Sequence, residues 1–136
     1  MNLHLLSYQT DMKDNEIDSM ELFAKADLIR KDKFLMIDYD EYIEEADEPV
    51  KNRLRLYPDK ITITRVGEYS SNMSFKVGDF NKSLYSTPFG DLPFVTETID
   101  FKSDVDENAG GDIHLKYKIT LGDNEPYYNI MKIKIS

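Results

Sequence analysis

The chain has 136 residues, of which 40% are hydrophobic and 32% charged, with a formal net charge of −9 and no cysteine. This composition is typical of one globular domain, residues 1–136, and excludes a disordered chain. The absence of cysteine excludes disulfides, thiol nucleophiles and thiolate metal sites. The negative charge and the lack of a long apolar run argue against nucleic-acid and membrane partners, so a cytoplasmic protein is expected.

The first third of the chain contains two segments whose secondary structure the pattern leaves open. In residues 18–31, good helix formers follow a capping-box pair, Asp18 and Glu21, which favours a helix. The same segment alternates apolar and polar residues, which favours a strand equally well. The acidic segment 38–48 is also ambiguous.

The rest of the chain reads as β-strands separated by turns. The clearest is 111–122, in which apolar and polar residues alternate strictly, and a turn then leads into a similar segment at 127–136. These two segments predict an antiparallel hairpin with one buried face. Similar alternation predicts further strands at residues 53–57, 60–66, 71–77 and 94–103. Many short one-sided strands are typical of a sandwich or a barrel, and alternation does not choose between them.

Several motifs in the second half resemble a known family. They include Arg65-Val66-Gly67, the segment 71–75, Gly110-Gly111 and the segment 129–133, and the most specific is the block YSTPFG at 85–90. These residues resemble the YwiB-like family, a group of small bacterial proteins that form a domain of unknown function. The resemblance implies an all-β fold, an antiparallel calycin/lipocalin-like β-barrel of about eight to ten strands, with a strand at 18–31. It implies no established activity and supplies no site residues.

A barrel of this size has an interior wide enough for side chains or one small ligand. Polar residues that share a face with inward apolar residues are therefore candidate ligand contacts. By alternation these are Arg65, Glu97, Tyr117 and Asn129. Because a buried charge is costly unless it is paired, Arg65 and Glu97 would pair with each other or with a ligand. The alternatives are charges turned into water at a bulge, a core tyrosine with a satisfied hydroxyl, and an asparagine that caps strand-end backbone.

Phe89 is a fifth candidate because it lies in the turn Thr87-Pro88-Phe89-Gly90. Proline at the second position and glycine at the fourth indicate a type I turn. The aromatic ring would either plug one end of the barrel as a packed corner or lie over its mouth as a lid.

No motif indicates catalysis. The two histidines are far apart in sequence and lack metal-ligand spacing, and the acidic segment 104–112 lacks the glycine and glutamate of a calcium loop. We therefore predict no cofactor and no metal, and an enzyme is disfavoured. The favoured hypothesis is binding of a small apolar or amphipathic ligand in the lumen. The alternative is an interaction or structural module that uses the acidic surface at 38–48. The sequence does not indicate an oligomeric state.

Overall fold

A computed structural model describes residues 1–136 and contains ten β-strands that belong to one antiparallel sheet. No helix with the length and apolar character needed to cross a lipid bilayer is present. The strands are β1 (Asn2–Thr10), β2 (Glu16–Arg30), β3 (Leu35–Glu41), β4 (Val50–Leu56), β5 (Ile61–Val66), β6 (Ser71–Phe75), β7 (Phe80–Thr87), β8 (Gly90–Ser103), β9 (Gly111–Leu121) and β10 (Tyr127–Ile135).

The strands follow one another around a nearly closed barrel. Each strand pairs with its neighbours in sequence except at β6 and β7, and β1 pairs with β10. The seam between β6 and β7 is joined by two backbone hydrogen bonds between Ser70 and Ser86, of 2.8 and 2.9 Å. Two side chains add to it: Asn81 donates to the Ser74 carbonyl and Ser83 to the Asn72 carbonyl. The predicted antiparallel barrel of eight to ten strands is confirmed.

The segment that could have been helix or strand is the longest strand, β2. Residues 16–25 pair with β1, and residues 26–30 pair with β3. Ala26 is buried, and Leu22, Ala24 and Leu28 pack against the core from the same face. Burial of this alternating face in the sheet outweighs helix propensity, which is worth only tenths of a kcal/mol per residue. The acidic segment divides: its first part ends β3, and residues 42–49 form a loop.

The strands give the barrel two different ends. We call one the mouth end; its loops are 11–15, 42–49, 67–70, 88–89 and 122–126. The other is the core end, with loops 31–34, 57–60, 76–79 and 104–110. Most of the residues with the most deeply buried side chains lie in the half nearer the core end, among them Leu3, Leu35, Leu54, Ile61, Phe75, Ile113, Leu115, Ile133 and Ile135. Val50, at the start of β4, is fully buried at the mouth end. The hydrophobic core therefore fills mainly one half of the barrel.

Strand β8 corrects the predicted facing of residues 94–103. Alternation assigned Val95, Ile99 and Phe101 to one inward face. Instead Thr96 and Thr98 are buried inside, and Ile99 is exposed. The pairing of β8 with β9 shifts between Thr98 and Asp100, and Phe101 then packs against the core. A one-residue bulge reverses the facing of every residue beyond it, which the sequence pattern did not reveal.

Candidate ligand-binding cavity

The half of the barrel nearer the mouth end contains a cavity of about 740 Å³. This volume lies within the range of small-molecule sites in proteins. Most of the residues that line it are hydrophobic. Leu5, Ile63 and Tyr117 belong both to this lining and to the core, so they form the boundary between the cavity and the packed half.

The apolar part of the wall includes three methionines, Met20, Met73 and Met131, which come from β2, β6 and β10. Ile119 and Phe94 complete this surface on β9 and β8. Methionine is unbranched and polarizable, so it adapts to apolar groups of different shapes. The wall is therefore suited to an apolar group without being specific for one shape.

An ion pair lies within the lining of the cavity. Arg65 Nη2 donates to Glu41 Oε1 at 2.7 Å, and the two side chains are only 18% and 13% exposed. The Asn52 amide donates to the same carboxylate oxygen at 3.3 Å. Burial acts to lower the pKa of Arg65, but Glu41 and Tyr85 together outweigh this effect and the pKa is raised. The guanidinium also lies 5.8 Å from the centre of the Tyr85 ring. The positive charge of Arg65 is thus held in place and neutralised by Glu41 of the same chain.

A chain of hydrogen bonds joins three polar side chains, those of Ser7, Asn129 and Tyr117, where the cavity meets the core. The Ser7 hydroxyl donates to Asn129 Oδ1 at 3.1 Å, and Asn129 Nδ2 donates to the Tyr117 hydroxyl at 2.8 Å. The Tyr117 ring packs on Phe75 with ring centres 4.6 Å apart. Burial raises the pKa of Tyr117, so the hydroxyl keeps its proton at neutral pH. Because its oxygen accepts from Asn129, that proton is available to an acceptor in the cavity.

One buried polar atom in the lining has no partner in the protein. Ser71 is only 8% exposed and lines the cavity, yet its hydroxyl makes no hydrogen bond. A buried hydroxyl without a partner costs free energy, so such groups in folded proteins are usually satisfied by water or a ligand. Ser71 is therefore an unsatisfied polar group in the wall of the cavity.

Three of the five predicted site residues meet in this cavity: Arg65, Tyr117 and Asn129. Glu97 does not, because it lies on the outer face of β8 opposite Lys118 of β9. The prediction that it faces inward beside Arg65 is wrong for the same reason as for Val95 and Ile99: the inward residues of that stretch are the threonines. The partner of Arg65 is Glu41.

Phe89 is also outside the cavity. Its side chain is 91% exposed at the tip of the β7–β8 hairpin, so the ring neither plugs the barrel nor covers its mouth. The turn is held locally, since the Thr87 hydroxyl accepts from the Phe89 amide and donates to the Gly90 carbonyl. Gly90 has a φ of +129°, which explains the glycine at this position.

Sequence reasoning missed Glu41, Ser7 and Ser71. Glu41 could have been found, because it follows Ile37 and Tyr39 at spacings of two and so shares their inward face. Ser7 and Ser71 gave the same signal, since Ser7 follows Leu3 and Leu5, and Ser71 precedes Met73 and Phe75, at spacings of two. Several acidic residues surround Glu41 in the segment 38–48, so the composition did not distinguish Glu41 as the carboxylate of this segment that points inward.

Neither histidine contributes to the cavity. His4 lies 3.4 Å from Glu21 and stacks on Phe23, and His114 lies 3.6 Å from Asp100. The lining of the cavity therefore contains hydroxyls, amides, the Arg65–Glu41 ion pair and the Asp18 carboxylate, but no histidine or cysteine.

A second depression, of about 780 Å³, lies against the outer face of strands β2 to β5. Its lining is mostly polar and charged, and includes Asp38 and Arg53, which form two hydrogen bonds of 2.8 Å with each other. Asp38 and Arg53 already neutralise each other, and this outer surface is exposed to solvent. The internal cavity is therefore the better candidate site.

Comparison with known proteins agrees with this architecture. The profile of a family described as a domain of unknown function, DUF1934, matches residues 4–133. The chain belongs to this family. The crystal structure of the ywiB protein from Bacillus subtilis is similar to this DUF1934 chain, with a TM-score of 0.84 and 24% sequence identity over 98% of this chain and 87% of that one. At that identity the likeness establishes the fold, and the resemblance noted in the sequence is confirmed. No curated protein matches the chain.

Proposed function

We propose that this DUF1934 protein binds a small amphipathic molecule inside its barrel. The observation that carries the proposal is a cavity of about 740 Å³ that is apolar over most of its wall and includes a buried, unpartnered Ser71 hydroxyl. An apolar part of the ligand would contact the methionine-rich wall. A polar part would contact the hydroxyl groups, aromatic rings and charged groups of the lining, and exclusion of water would strengthen those interactions. The lack of cysteine is consistent with action in the cytoplasm.

A neutral fluorescent probe tests the proposal. N-phenylnaphthylamine emits strongly in apolar surroundings and carries no charge at neutral pH, so it reports the cavity without electrostatic bias. We expect saturable binding to the wild-type protein, with a rise in unfolding temperature as the probe concentration increases, because a ligand bound only by the folded state stabilises it.

Two tryptophan variants on β9 locate the binding site. Ile119 lines the cavity, whereas its neighbour Thr120 does not. Ile119→Trp fills the cavity and should abolish probe binding, and Thr120→Trp is the matched control that should retain it. If Ile119→Trp does not fold, Met131→Phe provides a smaller obstruction that should weaken binding. Equal binding by the wild-type protein and a folded cavity-filled variant, or no binding by the wild type, would show that the proposal is wrong.

A further inference from the structure

The loops of the barrel carry their charges unequally. The mouth-end loops contain nine carboxylates and one lysine, whereas the core-end loops contain six carboxylates and four lysines. The mouth-end loops thus account for most of the chain's net charge of −9. Four of these carboxylates, Glu44, Glu45, Asp47 and Glu48, are exposed on the single loop 42–49.

That loop borders the cavity. Tyr42 and Ile43, at its start, line the cavity together with Asp18 of β2. Strand β2 does not pair with β3 before Ala26, so residues 16–25 leave the wall open on this side. A molecule that enters the cavity from the mouth end therefore passes close to loop 42–49 and Asp18.

The one unpaired charge in the lining of the cavity, that of the solvent-exposed Asp18, has the same sign. The charged residues in the lining are Asp18, Glu41 and Arg65, and Arg65 is paired with Glu41. The carboxylate of Asp18 accepts only the adjacent Ser19 amide, so its negative charge has no cationic partner. An anionic head group would meet this charge after passing the acidic loop, and no unpaired cation would compensate it.

Aromatic rings in the lining favour a cation further. Five tyrosines line the cavity, and the face of one of them, Tyr85, already lies near the Arg65 guanidinium. The negative face of an aromatic ring attracts ammonium groups, and surfaces of several rings recognise quaternary ammonium ligands. Tyr39, Tyr42, Tyr117 and Tyr127 provide further rings in the same cavity.

From these observations we infer that the ligand is a cationic amphiphile, an amine or quaternary ammonium compound with an apolar tail. The tail lies against the methionines, and the head group lies near Asp18 and the tyrosines. The acidic mouth end attracts such a cation and repels an anionic amphiphile, which acts on its rate of entry as well as its affinity. The inference rests on the proposed binding in the barrel and specifies its substrate class.

The test compares head groups on one tail. Decyltrimethylammonium, decanol and decyl sulfate are titrated, below their micelle concentrations, into the complex of wild-type protein and N-phenylnaphthylamine. We expect the cation to displace the probe at a concentration about ten-fold or more below that of the sulfate, with decanol between them. The difference should shrink between about 0.02 and 0.5 M salt, because the loop charges are exposed.

Charge variants connect the preference to the named residues. Asp18→Asn, and a variant in which Glu44, Glu45 and Glu48 become glutamine, should each reduce the preference for the cation. Asp32→Asn with Glu107→Gln, at the core end, removes two charges as a control and should leave it unchanged. If decyl sulfate displaces the probe as well as the cation does, or if the control reduces the preference equally, the inference is overturned while binding in the barrel stands. If the probe does not bind at all, the proposed function fails and the inference with it.

Discussion

Glu41 and Arg65 form an ion pair inside the barrel across the intervening strand β4, with 2.7 Å between carboxylate and guanidinium. Arg65 pairs in the sheet with Asn52, which donates to the same carboxylate. Three neighbouring strands thus contribute one side chain each to a largely buried polar group. A fixed pair of this kind holds the mouth-end halves of β3, β4 and β5 at a defined spacing around the cavity.

Removing one partner of this pair should be costly. Glu41→Gln leaves the Arg65 cation largely buried without its counter-charge, and we expect a loss of about 2 kcal/mol in the free energy of unfolding, reduced from a fully buried pair by the remaining exposure. Urea denaturation measures the loss. Asp38→Asn is the matched control, because it breaks the equally short Asp38–Arg53 pair on the outer surface. Equal losses in the two variants would contradict the assignment of a buried pair to the cavity.

Gly110 is required where the β8–β9 loop passes the last strand. Its φ is +81°, and a Cβ added there would collide with the Ile135 carbonyl oxygen. We expect Gly110→Ala to lower the free energy of unfolding by about 3 kcal/mol, from the unfavourable φ and the collision together. Gly122 also has a positive φ, of +54°, but has open space around it. Gly122→Ala should therefore cost only about 1 kcal/mol, and a similar cost for both would exclude the collision.

Two phenylalanines should respond oppositely to truncation. Phe75 is fully buried against Tyr117, and Phe89 is almost fully exposed at a hairpin tip. We expect Phe75→Ala to cost about 3–5 kcal/mol, and Phe89→Ala to stay within about 0.5 kcal/mol of the wild type. Chemical denaturation of both variants measures the difference. A large loss for Phe89→Ala would restore the packed-corner interpretation of the YSTPFG block.

Alkaline pH should destabilise the barrel through its buried tyrosines. Burial raises the pKa of Tyr117 and of Tyr39. The unfolded chain then loses these protons at a lower pH than the folded protein does. Their contribution to stability is therefore complete below the ordinary tyrosine pKa of about 10 and is lost as the pH rises above it.

The Tyr117→Phe variant tests this linkage. Its free energy of unfolding, measured in urea between about pH 8 and pH 11, should decline less steeply above pH 10 than that of the wild type, because one linked proton is gone. The comparison of slopes is independent of the constant loss from the missing Asn129 contact. An unchanged slope would mean that Tyr117 ionises equally easily in both states.

The fold was more predictable from sequence than the site because the two depend on different information. The hairpin of β9 and β10 follows from strict alternation, which records burial on one face of a sheet. The strand β2 needed the family resemblance, since its local preference for helix is overcome only by pairing on both sides. The bulge after Thr98 has no composition signal, and because it puts Phe101 on the same inward face as Thr96, the alternation with Phe101 misassigned Glu97.

Sequence reasoning found the part of the site that lies on regular strands. Arg65, Tyr117 and Asn129 lie on regular strands, where alternation reports facing correctly. The partner of Arg65 could not be read from the sequence. Glu41 lies 24 residues earlier, and only the order of β3, β4 and β5 in the sheet brings the two side chains together. The loop charges were visible in the sequence, but their collection at one end depends on the up-and-down order of the strands.

The seam between β6 and β7 has fewer hydrogen bonds between strands than the rest of the barrel, so we expect the barrel to open there first. Ladders of five or more residue pairs join all the other neighbouring strands, but this junction has only the Ser70–Ser86 backbone pair and two side-chain bonds. Separating the sheet there breaks far fewer hydrogen bonds than separating β1 from β10, so local opening occurs at low free energy while the rest of the barrel stays folded. Amide hydrogens of Ser70 and Ser86 should therefore exchange with solvent much sooner than those along β1 and β10. Since Ser71 and Tyr85, on either side of this seam, line the cavity, the same motion would give the interior an exit that does not pass loop 42–49.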